Sequence, residues 1–288
     1  MLRSAEAQYQ RQASVAAVAA SGVKRQWSRV GVFGDWDSAV PQMAAVLDEA
    51  RAIAVNVALP YTGAALAEQG MSAPAVGDLK ASRFLVTAPS GAPVRSVLES
   101  PVITARAAVG RGIPMVTAFE QAASTLVGIA LTMMADTRRG VYGADIISRP
   151  KVSGYIRMLQ GPSCARCVVL AGRFYRWSSG FQRHPRCDCQ HVPTSKAGSR
   201  DLIETPTSYF EGLTAEQQDK VFGRSNARAI RDGADISRVV NVQQRGLSTA
   251  IGRSRNRRFA TMTVDDIYRV AGTRTNAIRL LTEQGYLR

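Results

Sequence analysis

The chain has 288 residues, of which 45% are hydrophobic, so it can bury the core of one large domain or of two moderate ones. Its formal net charge is +15 at pH 7, which favours polyanionic surroundings such as nucleic acid. The sequence does not open on an apolar signal region, and its most apolar stretch, residues 122–135, is too short to span a bilayer. We therefore expect a protein made in a reducing cytoplasm, without a membrane span.

The positive charge is concentrated in two parts of the chain. Residues 151–195 carry seven basic side chains and one acidic one, and residues 222–288 carry 13 and 5. Residues 1–150 are nearly balanced, with 14 and 11. Arginine outnumbers lysine 32 to 5, a bias that a GC-rich coding sequence also produces. Such a bias would spread the charge more evenly, so the distribution favours a functional role for the basic regions.

The first 150 residues predict a succession of helices. Residues 1–30 are rich in Ala, Gln and Arg without a strong apolar stripe, which predicts an exposed or partner-packed helix. Apolar residues at three-to-four spacing predict helices over residues 38–59, 64–69, 94–110 and 115–139. The run Arg138-Arg139-Gly140 has the residues typical of a helix end. Residues 70–95 predict a loop, with residues 84–86 as the candidate for a short strand.

After Pro150 the pattern changes from helical spacing to alternation. Three strands are predicted, over residues 155–158, 173–177 and 187–192. Short helices follow at residues 213–222 and 224–232, the first with Thr214 as its cap. Residues 263–271 and 275–283 predict two helices separated by Gly272, a helix–turn–helix arrangement in the loose sense.

All four cysteines and both histidines fall between residues 164 and 191. Their order is Cys164-x2-Cys167, sixteen residues, and then His184-Pro-x-Cys187-x-Cys189-x-His191. Zinc needs four soft or borderline ligands in a tetrahedron, usually supplied as two close-spaced pairs. Six candidates exceed that number, so two of them do not bind. We predict a site made of Cys164, Cys167 and Cys189 with either Cys187 or His184, and His191 is the weakest candidate.

Two other roles for these cysteines stay open. An open catalytic zinc is disfavoured because the ligands are thiolate-rich and Asp188 is the only acid in residues 151–195. A redox pair or a disulfide within Cys164-x2-Cys167 is the second alternative. The sequence has no phosphate-binding loop, no His-Glu-x2-His helix and no Gly-x-Ser-x-Gly. Because no complete catalytic constellation is found, we expect a protein that is not an enzyme.

The patterns together predict an α+β protein in three parts. Residues 1–150 form a helical N-terminal region, residues 151–195 a small zinc-stapled α/β core, and residues 196–288 a basic helical C-terminal region that ends in the helix–turn–helix-like hairpin.

The cysteine segment resembles the minor head proteins related to the phage Mu F protein. The resemblance is carried by Cys164-Ala-Arg-Cys167, Leu170-Ala-Gly-Arg-Phe-Tyr175, His184-Pro-Arg-Cys-Asp-Cys189 and Val192-Pro193. Further matches are to tailed-phage versions from actinobacterial hosts, at residues 213–218, 222–223, 229–235, 239–241, 267–268 and 285–286. The likeness covers residues 150–288, whereas the first 150 residues match only in being Ala-rich and helical.

The resemblance implies a minor capsid protein of the virion, made in the host cytoplasm and located in the capsid interior near the portal. It implies a role in head morphogenesis and in DNA packaging or ejection, with the portal protein, the major capsid protein or the scaffold as partners. The basic C-terminal region then faces double-stranded DNA, which it contacts without sequence preference. The predicted phosphate contacts are Arg253, Arg255, Arg257 and Arg258, in a loop-like run with Asn256.

Two different functions are kept as alternatives. The first is a zinc-dependent enzyme acting on nucleic acid or peptide, which would need an open metal position with a bound water. The second is a DNA-binding regulator that uses the C-terminal helical hairpin for sequence-selective binding.

Overall fold

The computed structural model describes residues 2–159, 163–179, 187, 189–202, 204–244, 267 and 270–284. Of the described residues 66% are helical, and they also form a small three-stranded antiparallel sheet, which confirms the α+β class expected from the sequence. The chain forms two compact units, one of Met1–Arg157 with Phe174–Leu202 and one of Met158–Arg173 with Ile203–Arg288.

The elements follow one another in this order along the described chain. The helices are α1 Arg3–Val30, α2 Ala39–Ala58, α3 Tyr61–Glu68, α4 Val94–Gly110, α5 Met115–Ile147, α6 Ala165–Val168, α7 Pro206–Glu211, α8 Ala215–Phe222, α9 Arg224–Arg231, α10 Ile236–Gln244 and α11 Arg274–Glu283. The strands are β1 Gly154–Met158, β2 Phe174–Arg176 and β3 Gln190–Thr194. The sheet order is β2-β1-β3, and β1 and β2 are antiparallel with Ile156 opposite Phe174.

Most elements predicted from periodicity are confirmed, but some boundaries and one element type differ. The strand predicted over residues 187–192 lies over Gln190–Thr194 instead. The helix predicted to end at Arg139 continues as α5 to Ile147, because Val141, Tyr142 and Ile146 extend its buried face. The segment 84–86 is not a strand, since the chain forms a 3-10 helix over Ala81–Phe84 instead. Of the predicted helix over residues 263–271, only Ile267, Val270 and Ala271 are described.

Helix α1 is part of the core, whereas the sequence predicted an exposed or partner-packed helix. It packs against α2 and α5 through small residues and amides rather than through an apolar stripe. The buried amides of Gln8 and Gln12 donate to the carbonyls of Val57 and Ala54 in α2, at 3.0 and 2.9 Å. The two helices lie so close at Gly22 that a Cβ atom there would be 2.6 Å from Cγ1 of Val46. At Gly22 the close approach of the two backbones therefore takes the place of a large side chain.

The first unit contains α1 to α5, β2, β3 and all but the last residue of β1. An aromatic cluster fixes one end of its core: the Trp27 ring stacks on Phe119 at 4.8 Å and lies 5.6 Å from Trp36. The Trp27 indole N–H donates to the carbonyl of Phe119 at 3.1 Å, so its polar atom is satisfied in the interior. Truncating a buried side chain of this size costs about 3–5 kcal/mol, which makes the cluster a main contributor to the stability of the unit.

Helix α5 is long and apolar enough to cross a membrane by length and composition alone. Its most apolar 18-residue window has a mean hydropathy of 1.2, and 44% of that window is buried inside the protein. Because the core helix of a water-soluble protein passes the same test, this is weak support for a membrane span.

The second unit is built from α6 to α11, and two of its short helices, α7 and α8, begin at capping boxes. The side chains of Thr205 and Thr214 each accept a hydrogen bond from the backbone N–H of the residue three positions later. The side chain of that later residue, Ser208 or Gln217, accepts a hydrogen bond from the backbone N–H of the threonine. Phe210 packs edge-on against Phe222, with ring centroids 5.2 Å apart. The Thr214 cap confirms the start of the helix that the sequence predicted over residues 213–222, whereas helix α7 behind Thr205 was not predicted.

Candidate metal centre

The Cys164-x2-Cys167 motif occupies one turn of helix at the start of α6. The backbone N–H groups of Cys167 and Val168 both donate to the carbonyl of Cys164, at 2.9 and 3.1 Å. This turn leaves Cys164 exposed at the helix cap and turns Cys167 into the interior, where it is 2% exposed. The two thiols of the motif therefore lie in different environments.

The sulfur atoms of Cys167, Cys187 and Cys189 lie within 4.8 Å of one another. All three side chains are buried, and none of the three forms a disulfide. In a tetrahedral zinc site with Zn–S bonds of about 2.3 Å the sulfurs are about 3.8 Å apart, so a small contraction would bring these three into coordination range. Three buried cysteines are thus close enough to bind a metal ion, and a sulfur-only donor set suits a soft or borderline metal.

The structure brings together three of the six predicted candidates. Cys164 is exposed and is not one of the three mutually close sulfurs. His184 lies outside the described residues. His191 belongs to β3 and is buried, and its ring stacks on Tyr155 with centroids 4.1 Å apart. The packing of His191 gives it a role in the core, in agreement with its place as the weakest predicted ligand.

Arg139 holds the backbone of the cysteine segment, a role that the sequence analysis missed. This buried side chain lies eight residues before the C-terminal end of α5. Its Nε donates to the carbonyl of Cys189 at 2.9 Å, and its Nη2 donates to the carbonyl of Cys187 at 2.5 Å. The planar guanidinium thereby fixes two carbonyls of the Cys-x-Cys motif with one side chain.

Two guanidinium groups also approach the sulfur of Cys187. Nη2 of Arg139 lies 3.6 Å from that sulfur, and Nη2 of Arg157, on β1, lies 3.5 Å from it. Arg139 is in addition paired with Asp136 one helical turn away, at 2.8 Å. Both arginines are at least 95% buried, so the positive charge around Cys187 is shielded from solvent.

Strand β3, which follows Cys189 directly, is bonded to the helices on several sides. The Tyr61 hydroxyl donates to the carbonyl of His191 at 2.9 Å, and the Gln69 amide donates to the carbonyl of Pro193 at 2.9 Å. The amide of Gln190 donates to the carbonyl of Ala5 in α1 at 3.1 Å. These contacts hold the end of the cysteine segment in the core of the first unit.

Two buried tyrosines beside β3 remain neutral in the physiological range. Burial raises the pKa of Tyr142 to about 12, and burial also raises the pKa of Tyr61. The Tyr142 hydroxyl accepts a hydrogen bond from the amide of Gln8 at 2.9 Å. The ring centroids of Tyr61 and Tyr142 are 4.6 Å apart. Because both pKa values are raised, the two phenols act as packing and hydrogen-bonding groups rather than as acids.

The predicted nucleic-acid contacts cannot be placed in the same way. Arg253, Arg255, Arg257 and Arg258 all lie outside the described residues. Their role in DNA binding stays a prediction from charge and sequence.

No protein-family model, no curated protein and no solved structure matches this chain. The resemblance to Mu F-like head proteins therefore rests on the motif and on the ordered matches that follow it.

Burial predicts the order in which the four thiols react with an alkylating agent. Cys164 is exposed and the other three cysteines are buried, so Cys164 should be modified first in the native protein. Brief treatment with iodoacetamide, followed by peptide mapping, measures the order. The Cys164→Ser variant should lose the fast reaction, and the urea-unfolded chain should react at all four positions. Labelling of Cys187 or Cys189 as fast as Cys164 would contradict the arrangement.

Proposed function

We propose that the chain is a structural, non-enzymatic protein of a tailed-phage head, of the Mu F-like minor capsid type, and that its cysteine cluster binds zinc. The observation that carries the proposal is the closeness of Cys167, Cys187 and Cys189. These residues come from the two motifs on which the resemblance depends, and separate motifs that share one metal must have their sulfurs close together.

Cys167, Cys187 and Cys189 would hold the ion, with a fourth ligand from Cys164 or His184. Bound zinc supplies a tetrahedral cross-link between chain segments, and its binding free energy then contributes to folding, on the order of 10 kcal/mol in small zinc domains. Arg139 would support the bound ion indirectly, because it bonds to the carbonyls of Cys187 and Cys189, two of the proposed ligands.

The surroundings of the cluster favour a structural role over a catalytic one. Catalytic zinc sites usually have three protein ligands and an open position for water, with a carboxylate or histidine that handles protons. Here the three close sulfurs are buried, and the nearby carboxylate of Asp136 is bonded to Arg139. The ring of His191 is stacked on Tyr155. These contacts support a closed, stabilising site.

The proposed location is the capsid interior near the portal. The helical first unit would supply the contact with the portal, the major capsid protein or the scaffold, and the basic C-terminal region would face packaged DNA. Support for the DNA contact comes from the charge of residues 222–288, with 13 basic and 5 acidic side chains.

Mass spectrometry of purified virions tests the proposed location. We expect peptides of this chain in mature particles of the phage that encodes it, in fewer copies than the major capsid protein. A nonsense mutation in its gene should yield particles that lack the chain and have reduced infectivity. A mutation in a non-structural gene of the same phage is the control. Presence of the chain in infected cells but not in gradient-purified virions would contradict the proposal.

The salt dependence of DNA binding tests the basic region. Each phosphate contact contributes about 0.9 to the slope of log K against log salt concentration, so four contacts contribute about three to four. Replacing Arg253, Arg255, Arg257 and Arg258 together by Gln should make the salt dependence weaker. The magnitude of the slope should fall by that amount on each of two duplexes of unrelated sequence. Fluorescence anisotropy over a range of salt concentrations measures it.

The matched control removes the same charge from exposed positions of the first unit, where Arg11, Arg25, Arg95 and Arg111 are replaced by Gln. This control should change the slope much less. Equal slopes for the wild-type chain and the C-terminal variant would exclude the four arginines as phosphate contacts. Strong preference for one duplex would instead favour a sequence-selective regulator.

A further inference from the structure

Two buried cations contact one candidate ligand atom. The guanidinium groups of Arg139 and Arg157 approach the sulfur of Cys187 at 3.6 and 3.5 Å, and the two residues are 5% and 2% exposed. An arginine keeps its proton in a protein, so both groups bring a full positive charge into the interior. Burying such charges is unfavourable unless counter-charges lie nearby.

A metal-bound cysteine supplies such a counter-charge. Thiolate is the form of cysteine that binds zinc, so ligation would place a negative sulfur in contact with both guanidinium groups. Conversely, a divalent ion with three or four thiolates has a formal charge of −1 or −2, and burying that anionic complex is itself unfavourable. The arginines and the metal complex therefore offset each other.

The two arginines contribute in different ways. Arg139 also bonds to the carbonyls of Cys187 and Cys189, so it fixes the backbone as well as approaching the sulfur. Arg157 approaches the same sulfur from β1. A substitution of Arg139 would change both the backbone contacts and the sulfur contact, so the effect on the sulfur is tested at Arg157.

We propose that Arg139 and Arg157 are positioning residues of the metal site, which hold the sulfur of Cys187 in place and compensate the charge of the buried complex. The inference rests on the proposed zinc binding and extends it to residues outside the ligand set. Groups that hydrogen-bond to metal ligands commonly change metal affinity by about 10- to 100-fold, so the effect is measurable.

The test measures the zinc affinity of the full chain by competition with a chromophoric chelator, at one pH and one salt concentration. Arg157→Gln should bind zinc about 10- to 100-fold more weakly than the wild-type chain, and Arg157→Lys, which keeps the charge, should stay within about threefold. Circular dichroism verifies that each variant is folded.

Arg51→Gln is the matched control. Arg51 is also a fully buried arginine of the first unit, and it donates to the carbonyl of Phe84 at 2.7 Å and pairs with Asp48. The variant Arg51→Gln should leave the zinc affinity within about threefold of wild type, because Arg51 bonds to Phe84 and Asp48 and not to a ligand sulfur. In a Cys187→Ser background, Arg157→Gln should have no further effect on the affinity.

The outcomes separate this inference from the function on which it rests. A wild-type chain that binds no zinc would overturn both the proposed metal site and the inference. Wild-type affinity in folded Arg157→Gln would overturn the inference alone. If Arg157→Gln does not fold, the zinc affinities of Arg157→Lys and Arg51→Lys are compared instead. A loss of zinc affinity of about tenfold or more in folded Arg157→Lys, but not in Arg51→Lys, would exclude charge compensation.

Discussion

The position of Arg139 inside a continuous helix is the constraint on which the candidate metal centre depends. If α5 ended at Arg139, the guanidinium would lie at a helix terminus, where solvent competes for its hydrogen bonds. Because α5 continues to Ile147, Arg139 is buried and bonds to the carbonyls of Cys187 and Cys189. One side chain thus connects the longest helix of the first unit to the segment that carries two of the three close sulfurs.

The proposed thiolate-bound metal would explain why two guanidinium groups are buried near these cysteines. Buried guanidinium groups need partners, and Asp136 is one partner of Arg139. The sulfur of Cys187 lies near both Arg139 and Arg157. A closed cross-link of this kind suits the proposed role in a capsid, where a protein must withstand assembly and DNA packaging without performing chemistry.

The sequence predicted those features that depend on local pattern. Helical spacing placed α2, α4, α8 and α9, alternation placed β1 and β2, and the clustering of cysteines identified the segment that holds the three close sulfurs. It missed features that depend on tertiary contacts. Arg138-Arg139-Gly140 has the composition of a helix end, and only the buried spacing of Val141, Tyr142 and Ile146 beyond it shows that the helix continues. Helix α1 lacks a strong apolar stripe because Gln8, Gln12 and Gly22 make part of its contacts, and the spacing of large apolar residues does not reveal such contacts.

X-ray absorption at the zinc edge of the purified full chain tests whether the sulfurs of both cysteine motifs bind one metal ion. We predict one zinc per chain with three or four sulfur neighbours at about 2.3 Å, and no more than one nitrogen neighbour. A chain without stoichiometric metal, or a zinc surrounded mainly by oxygen and nitrogen, would show that the two motifs do not form a zinc site.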